Sequence, residues 1–449
     1  NGMRIKGFAR WAMFFGLSLF LLGGCGGGGG DGGDPRGQIV SHGEETRFES
    51  HQQVGVFLDN IDTSAADPFQ PVWDAIKSRF LYPVVMVSMD YASRNAAGEP
   101  VTLSGMVVFP WHWDAAKRRS VPILGLQHPT QVERRYSPSR MQILDPELTV
   151  PVALALAATG YIVAVADYEG MGVNYDVHPY CHASLAYAAV DMIRAARNYL
   201  TQHPGDLLAP WDDRLFLTGF SEGGYVAMIA AKELQRNHAG EFSVTAVAAL
   251  DGPYSLSGAM RDVMIHATAA FSSPYFLPYV LNGYDAAYGA TKPAFAFRRN
   301  VRNDVSGHAD YPGEMLALMD GSHTGDEITA LMRVAPGYSG PAGILTAACS
   351  ADLLDEGSDF CRTLADNDAC ADWAPTMRLK MFHCISDDLV PAGNLDEALA
   401  AFQEAGATTV EWEKYPEYIP GLSSIHVGAC PVAYMKGYLW LDSIAYPGR

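Results

Sequence analysis

The sequence is short of positive charge: 31 Lys and Arg stand against 50 Asp and Glu, a formal net charge of −19 over 449 residues. A surface of that sign repels phosphate backbones, which excludes nucleic acid as a partner. The apolar run at residues 11–22 (WAMFFGLSLFLL) falls short of the roughly 20 residues that a membrane-spanning helix needs. No segment of 20–50 residues repeats, so a solenoid or propeller is excluded. None of the seven cysteines forms a C-x-x-C pair, which removes the usual zinc and redox motifs. What the chain does have is apolar content, 49% hydrophobic against 18% charged, ample for a large buried core.

The N-terminus has the pattern of a targeting segment. Arg4, Lys6 and Arg10 form a basic start ahead of the apolar run, and Leu22-Gly23-Gly24-Cys25 follows it. These four residues resemble the lipobox of bacterial lipoproteins, which implies acylation of Cys25 after removal of residues 1–24. An ordinary secretory signal with a nearby cysteine is the alternative. Residues 26–34 (GGGGGDGGD) are a flexible tether. It is expected to run from 25 to about 45, ahead of a catalytic body spanning 46–449. On this reading the protein is exported to the cell envelope and held to the membrane by lipid, or secreted if the anchor is missing.

The body alternates strand-like and helix-like patterns. Residues 83–94 and 101–110 are predicted to form an antiparallel hairpin. Apolar strands are predicted at 121–127, 161–167, 214–219, 244–250, 378–384 and 408–414, with helices at 149–159, 183–202, 222–236 and 393–405. Continuous apolar strands alternating with helices imply a mostly parallel sheet covered on both faces. The alternation stops after Asp251. Residues 255–375 are too many for a loop and are expected to form a mostly helical cap inserted into the sheet's C-terminal side.

Chemistry concentrates at Gly219-Phe220-Ser221-Glu222-Gly223-Gly224, a G-x-S-x-G between a predicted strand and a predicted helix. A sharp strand-to-helix turn crowds the serine, and the glycines give it room. The following helix N-terminus aims N–H groups at a developing oxyanion. A serine hydroxyl needs a base and an orienting acid. His426 is the only histidine after residue 383, and it follows the last predicted strand. Asp387 follows the strand at 378–384, with its neighbour Asp388 as the rival. The expected roles are nucleophile for Ser221, base for His426 and orienting acid for Asp387.

The whole pattern resembles the α/β-hydrolase superfamily, and within it the bacterial secretory-lipase-like hydrolases related to prolyl oligopeptidases. His383, Cys384, Asp387, Val390 and Pro391 match the family's H-G-x-x-D-x-x-V-P segment, and residues 167–172 (DYEGMG) match its D-Y-x-G-x-G. Gly252-Pro253-Tyr254 and the stretch from Trp373 to Pro391 extend the likeness over most of residues 80–445. The resemblance implies an α/β-hydrolase fold and hydrolysis of small-molecule or lipid-like carboxylic esters without a cofactor. It also implies oxyanion donors at the Glu222 N–H and after the strand at 121–127. There Gln127-His128-Pro129-Thr130 places proline where the family has glycine, so the donor shifts to Thr130. A serine peptidase on the same triad is the nearest alternative, though no acidic pair to hold a substrate amine is evident. A non-catalytic binding protein is the other, and it leaves an intact triad without purpose.

Other features have plainer readings. His178 and His182 mimic metal-ligand spacing but flank Pro179 ahead of a helix, which favours structural hydrogen bonding; no metal site is expected. The acids from Asp352 to Asp372 lack an ordered calcium-loop pattern and read as a solvated surface. Tyr275, Phe276, Tyr279, Tyr284 and Tyr288 line an acyl pocket or form the cap's own core. With Cys25 assigned to lipid, six cysteines remain, and export permits disulfides, with buried thiols the alternative. If Asp387 meets His426, Cys384 and Cys430 come close enough to bridge, and Cys361–Cys370 is the most local other pair.

Overall fold

The computed structural model describes residues 34–59, 74, 76–112, 119–140, 149–203, 209–302, 311–335 and 337–449. The leader, Cys25 and most of the tether lie outside these residues. The strands are β1 (Ile39–His42), β2 (Thr46–Phe48), β3 (Val84–Arg94), β4 (Pro100–Pro110), β5 (Val121–Gln127), β6 (Ile162–Ala166), β7 (Trp211–Phe220), β8 (Val244–Leu250), β9 (Arg378–Cys384) and β10 (Val410–Tyr415). They form one sheet in the order β1-β3-β4-β6-β5-β7-β8-β9-β10, with β2 also on β3. The run from β6 through β10 is parallel, and β1 to β4 join it antiparallel. This is the mostly parallel α/β sheet that the apolar runs predict.

The hairpin β3–β4 pairs Val84 with Pro110 through Arg94 with Pro100. Its turn closes through the Asn95 side chain, which accepts the Glu99 N–H at 2.8 Å. Alternation along β3 feeds two cores, as the two-residue period of a strand requires. Val85, Val87 and Met89 face one; Val84 and Met86 face the other. The second core is covered by α1 (His51–Asp59), α2 (Thr149–Thr159) and the last helix. The first is covered by α3 (Leu185–Gln202), α4 (Glu222–Asn237) and the segment inserted between β8 and β9. That segment carries α5 (Ala259–His266), α6 (Phe276–Tyr288), α7 (Phe297–Asn300), α8 (Tyr311–Leu318), α9 (Gly325–Val334), α10 (Ala347–Leu354) and α11 (Asp359–Asp366). Local caps set its helix starts: Thr324 and Glu327 form a capping box on α9, and Ser358 caps α11. After β9 come α12 (Gly393–Glu404), β10 and α13 (Ile425–Ala445).

Three expectations are corrected. Residues 39–42 are not tether: Ile39, Ser41 and His42 pair with β3. The β-branched Ile39 and Val40 suit a strand, and the exposed residues 40–42 suit the sheet edge. His426, expected in the loop after the last strand, lies instead in the first turn of α13. Gly428, Pro431 and Gly437 disguise that helix in the sequence; small residues there let α13 pack closely on the sheet, where a Cβ on Gly437 would lie 2.9 Å from Leu250.

The third correction concerns the cysteines. Neither the Cys384–Cys430 nor the Cys361–Cys370 bridge is made, and Cys361, Cys370 and Cys384 are buried free thiols. The sulfurs of Cys361 and Cys370 sit within donor range of backbone carbonyls, Asp352 at 3.3 Å and Tyr254 at 3.5 Å respectively. Burial pushes Cys370 up to about 12 and Cys384 to about 11, so neither is a ready thiolate. Alkylation followed by peptide mapping without reductant should therefore recover Cys361, Cys370 and Cys384 as blocked thiols. A bridged peptide containing any of them would overturn this.

Candidate active site

Ser221 lies between β7 and α4 with φ 58° and ψ −123°. A non-glycine residue held there carries about 1–3 kcal/mol of backbone strain. The surroundings enforce it. A Cβ on Gly219 would come within 2.3 Å of the Gly223 carbonyl oxygen, and one on Gly223 within 2.2 Å of the Gln127 oxygen. The Ser221 N–H donates to the Leu250 carbonyl on β8 at 2.9 Å, which pins the turn to the neighbouring strand.

His426 is brought to the same place by α13. Ser424 caps the helix by accepting the Val427 N–H at 3.1 Å. The His426 Nδ1 meets Asp387 Oδ2 at 2.6 Å, with both side chains all but buried. A carboxylate only accepts, so Nδ1 carries the proton and the neutral ring keeps its lone pair on Nε2. Nε2 is buried and has no hydrogen-bond partner. The Phe220 ring backs the imidazole at 4.6 Å.

The adjacent acids divide their work. Asp387 Oδ1 accepts the Leu389 and Val390 N–H groups at 2.9 and 2.8 Å, leaving Oδ2 for the histidine ring. Asp388 is exposed and accepts the backbone N–H of His426, at 3.0 Å. Burial opposes charge on both His426 and Asp387. Their mutual attraction outweighs it, holding the His426 pKa above its ordinary 6.5 and that of Asp387 below its ordinary 3.8.

Asp251 was not picked out from the sequence, although an acid at the C-terminal end of a parallel strand is a site signal in itself. It is fully buried at φ 45°. It accepts the Cys384 N–H at 2.7 Å and the Tyr415 hydroxyl at 2.6 Å, so it laces the ends of β8, β9 and β10 together. One carboxylate oxygen each of Asp251 and Asp387 and a ring nitrogen of His383 lie within 4.8 Å of one another. Those carboxylate oxygens already accept protons from the backbone, Tyr415 or His426. The His383 Nε2 donates to the Val390 carbonyl at 2.8 Å, and its Nδ1 is buried without a partner.

Ser221 and His426 line a common, almost wholly apolar cavity of about 60 Å³. Met260, Val263 and Met264 of α5 and Phe276, Leu277 and Val280 of α6 wall it. Of the five aromatics named from the sequence, Phe276 reaches the cavity. Tyr279 and Tyr284 instead give their hydroxyls to the Gln131 and Cys181 carbonyls at 3.0 and 3.1 Å, as core residues do. Thr130 is half-buried and turns its hydroxyl to Tyr180 at 3.2 Å; Tyr180, not Thr130, lines the cavity. His178 and His182 point to separate partners. His178 meets Glu169 and Glu222, and His182 meets Ser184 and Tyr288. In the cap, Glu356 pairs with Arg261 at 3.2 Å and Asp368 accepts the Leu256 and Ser257 N–H groups, so these acids have structural partners.

The model of the secretory lipase family matches residues 139–443, a span that holds Ser221, Asp387 and His426. The chain belongs to the secretory lipase family. It is a carboxylic ester hydrolase, and the family is one of exported enzymes. Among solved structures, a protein from Legionella pneumophila superposes with a TM-score of 0.73 at 22% identity, over 91% of this chain and 99% of its own. The rice cell wall degrading esterase LipA from Xanthomonas oryzae gives 0.71 at 23%, over 91% and 98%. Candida antarctica lipase A gives 0.54 at 17%, over 85% and 77%. These likenesses establish the α/β-hydrolase fold. No curated protein matches the chain. Among the described residues no helix is long and apolar enough to cross a membrane.

Asp387→Asn is expected to cut kcat at least a hundredfold, because the ring then loses its orienting anion. Asp388→Asn should cost less than tenfold. Steady-state kinetics of both variants decide the assignment, and reversed magnitudes would move the acid to Asp388. If His426 acts as the base, it must be neutral to do so, and its pKa is raised. Activity in this secretory lipase should therefore fall as pH drops through a value above 6.5. A pH profile of kcat/KM reads that limb.

Proposed function

We propose that this secretory lipase cleaves esters through an acyl-enzyme on Ser221. The observation that carries the reading is the 2.6 Å Asp387–His426 pair, whose unpartnered Nε2 belongs to a residue lining the same cavity as Ser221. His426 takes the serine proton as the hydroxyl attacks the ester carbonyl, then passes it to the departing alcohol. Asp387 stabilises the imidazolium in between. The Glu222 N–H at the head of α4 receives the oxyanion, helped by the helix dipole. Water, activated by the same histidine, releases the acid.

The cavity supports a short, apolar acyl group. Its volume of about 60 Å³ leaves room for a few carbons, and its wall offers no charge to a polar chain. Aryl esters of increasing acyl length test this. Acetate to butyrate should turn over fastest, with kcat/KM falling at least tenfold by the octanoate. A fluorophosphonate should label Ser221, and Ser221→Ala should lose both labelling and turnover. Labelling that survives in the variant would remove Ser221 as nucleophile.

Membrane anchorage through Cys25 belongs to the same proposal, on the basic start, the apolar run and the cysteine. One acyl chain binds a membrane only marginally, so several are expected. Mass spectrometry of the mature N-terminus should find an acylated Cys25, and Cys25→Ser should release the protein into the soluble fraction. An unmodified N-terminus beyond residue 25 would rule the anchor out.

A further inference from the structure

Glu222 has a second end. Its backbone opens α4 directly after Ser221, and its carboxyl is completely buried. Oε1 meets His178 Nε2 at 2.7 Å, and Oε2 is buried without a partner. A bare carboxylate on the residue that receives the oxyanion would oppose the charge forming there. The partner across the contact decides whether it is bare.

His178 Nδ1 lies 2.8 Å from the Glu169 carbonyl oxygen. A carbonyl only accepts, so Nδ1 holds a proton. The Nε2–Oε1 contact then shares a second proton, as imidazolium with carboxylate or imidazole with carboxylic acid, and both forms are neutral overall. The ring is held in place. The Tyr168 and Tyr279 rings stack on it at 6.0 and 5.7 Å, and its backbone packs so closely on Gly170 that a Cβ there would come within 2.4 Å of the His178 backbone nitrogen.

We propose that His178 is a positioning residue for ester hydrolysis, which keeps the Glu222 carboxyl electrically neutralised behind the oxyanion site. The proposal rests on Ser221 as the nucleophile. It makes the alkaline limb of the activity the loss of the proton shared by His178 and Glu222, since the site then gains a net negative charge.

Other groups face the pair. Tyr168, Tyr180, Tyr279 and Cys181 are all pushed well above their ordinary values by burial and stay neutral. His128 is lowered by burial and is neutral wherever the pair titrates. Glu169 is pushed by burial to about 7, and Arg134, bonded to the Gly170 carbonyl, is a constant cation.

The test is a pH-resolved double-variant cycle on a short aryl ester. His178→Phe leaves Glu222 without its counter-charge, so its alkaline limb should move down by at least one pH unit. At pH 8.5 its kcat should be at least tenfold lower, with KM within about twofold of the parent. Adding Glu222→Gln to His178→Phe should recover most of that loss, and Glu222→Gln alone should lack the alkaline limb. A purely structural role predicts the opposite, a double variant no better than His178→Phe, and that result overturns the proposal. So does an unmoved alkaline limb in Glu222→Gln. If His178→Phe fails to fold by circular dichroism, His178→Gln with and without Glu222→Gln gives the same comparison. Fluorophosphonate titration of the parent keeps the two readings apart, since failure there removes Ser221 whatever the cycle shows.

Discussion

Everything at the site depends on how closely the β7–α4 turn approaches the carbonyl ends of its neighbouring strands. The Gln127 oxygen of β5 and the Leu250 oxygen of β8 press on the turn from both sides, so close that Gly219, Gly223 and Gly224 have no room for a Cβ. That crowding forces Ser221 into positive φ and lifts its side chain to the sheet edge. The same hydrogen bond that fixes the turn, Ser221 N–H to Leu250, sets it one residue from Asp251. Ser221 and the Asp251–Asp387 cluster thus share a foundation, and strain at one is held by pairing at the other.

The acid side is built on buried charge, which is expensive unless every oxygen has a proton donor. Asp387 meets that condition with two backbone N–H groups and one imidazole. Asp251 meets it with a backbone N–H and the Tyr415 hydroxyl. Because Asp251 also raises the His426 pKa from a distance, the histidine responds to a cluster and not to a single carboxylate. The Asp251 pKa is itself raised, chiefly by burial and also by Asp387, against the pull of His383.

The sheet was legible because fully buried parallel strands leave continuous apolar runs, and β5, β8 and β9 fall where residues 121–127, 244–250 and 378–384 predict. The elbow was legible for a related reason: glycine at 219 and 223 records a close backbone approach that sequence alone can suggest. Helix α13 was hidden, since Gly428, Pro431 and Gly437 imitate breakers while serving close packing. Asp251 and the Glu222–His178 pair were hidden for another reason. Their meaning lies in partners 133 and 44 residues away, and no local spacing encodes such contacts.

The missing bridge between the Asp387 loop and helix α13 shows what tertiary contacts can replace. A Cys384–Cys430 disulfide would have limited the relative motion of Asp387 and His426. Three hydrogen bonds do that work here: Asp251 to the Cys384 N–H, Asp388 to the His426 N–H, and Asp387 to the His426 ring. Each involves a carboxylate, and such charge-assisted bonds are about twice as strong as neutral ones. They also act on the backbone and ring of the residues that must align, whereas a bridge at Cys430 would act one helical turn away from the base. Alignment to within about an ångström is what the chemistry needs. Direct bonds to His426 supply it without a disulfide.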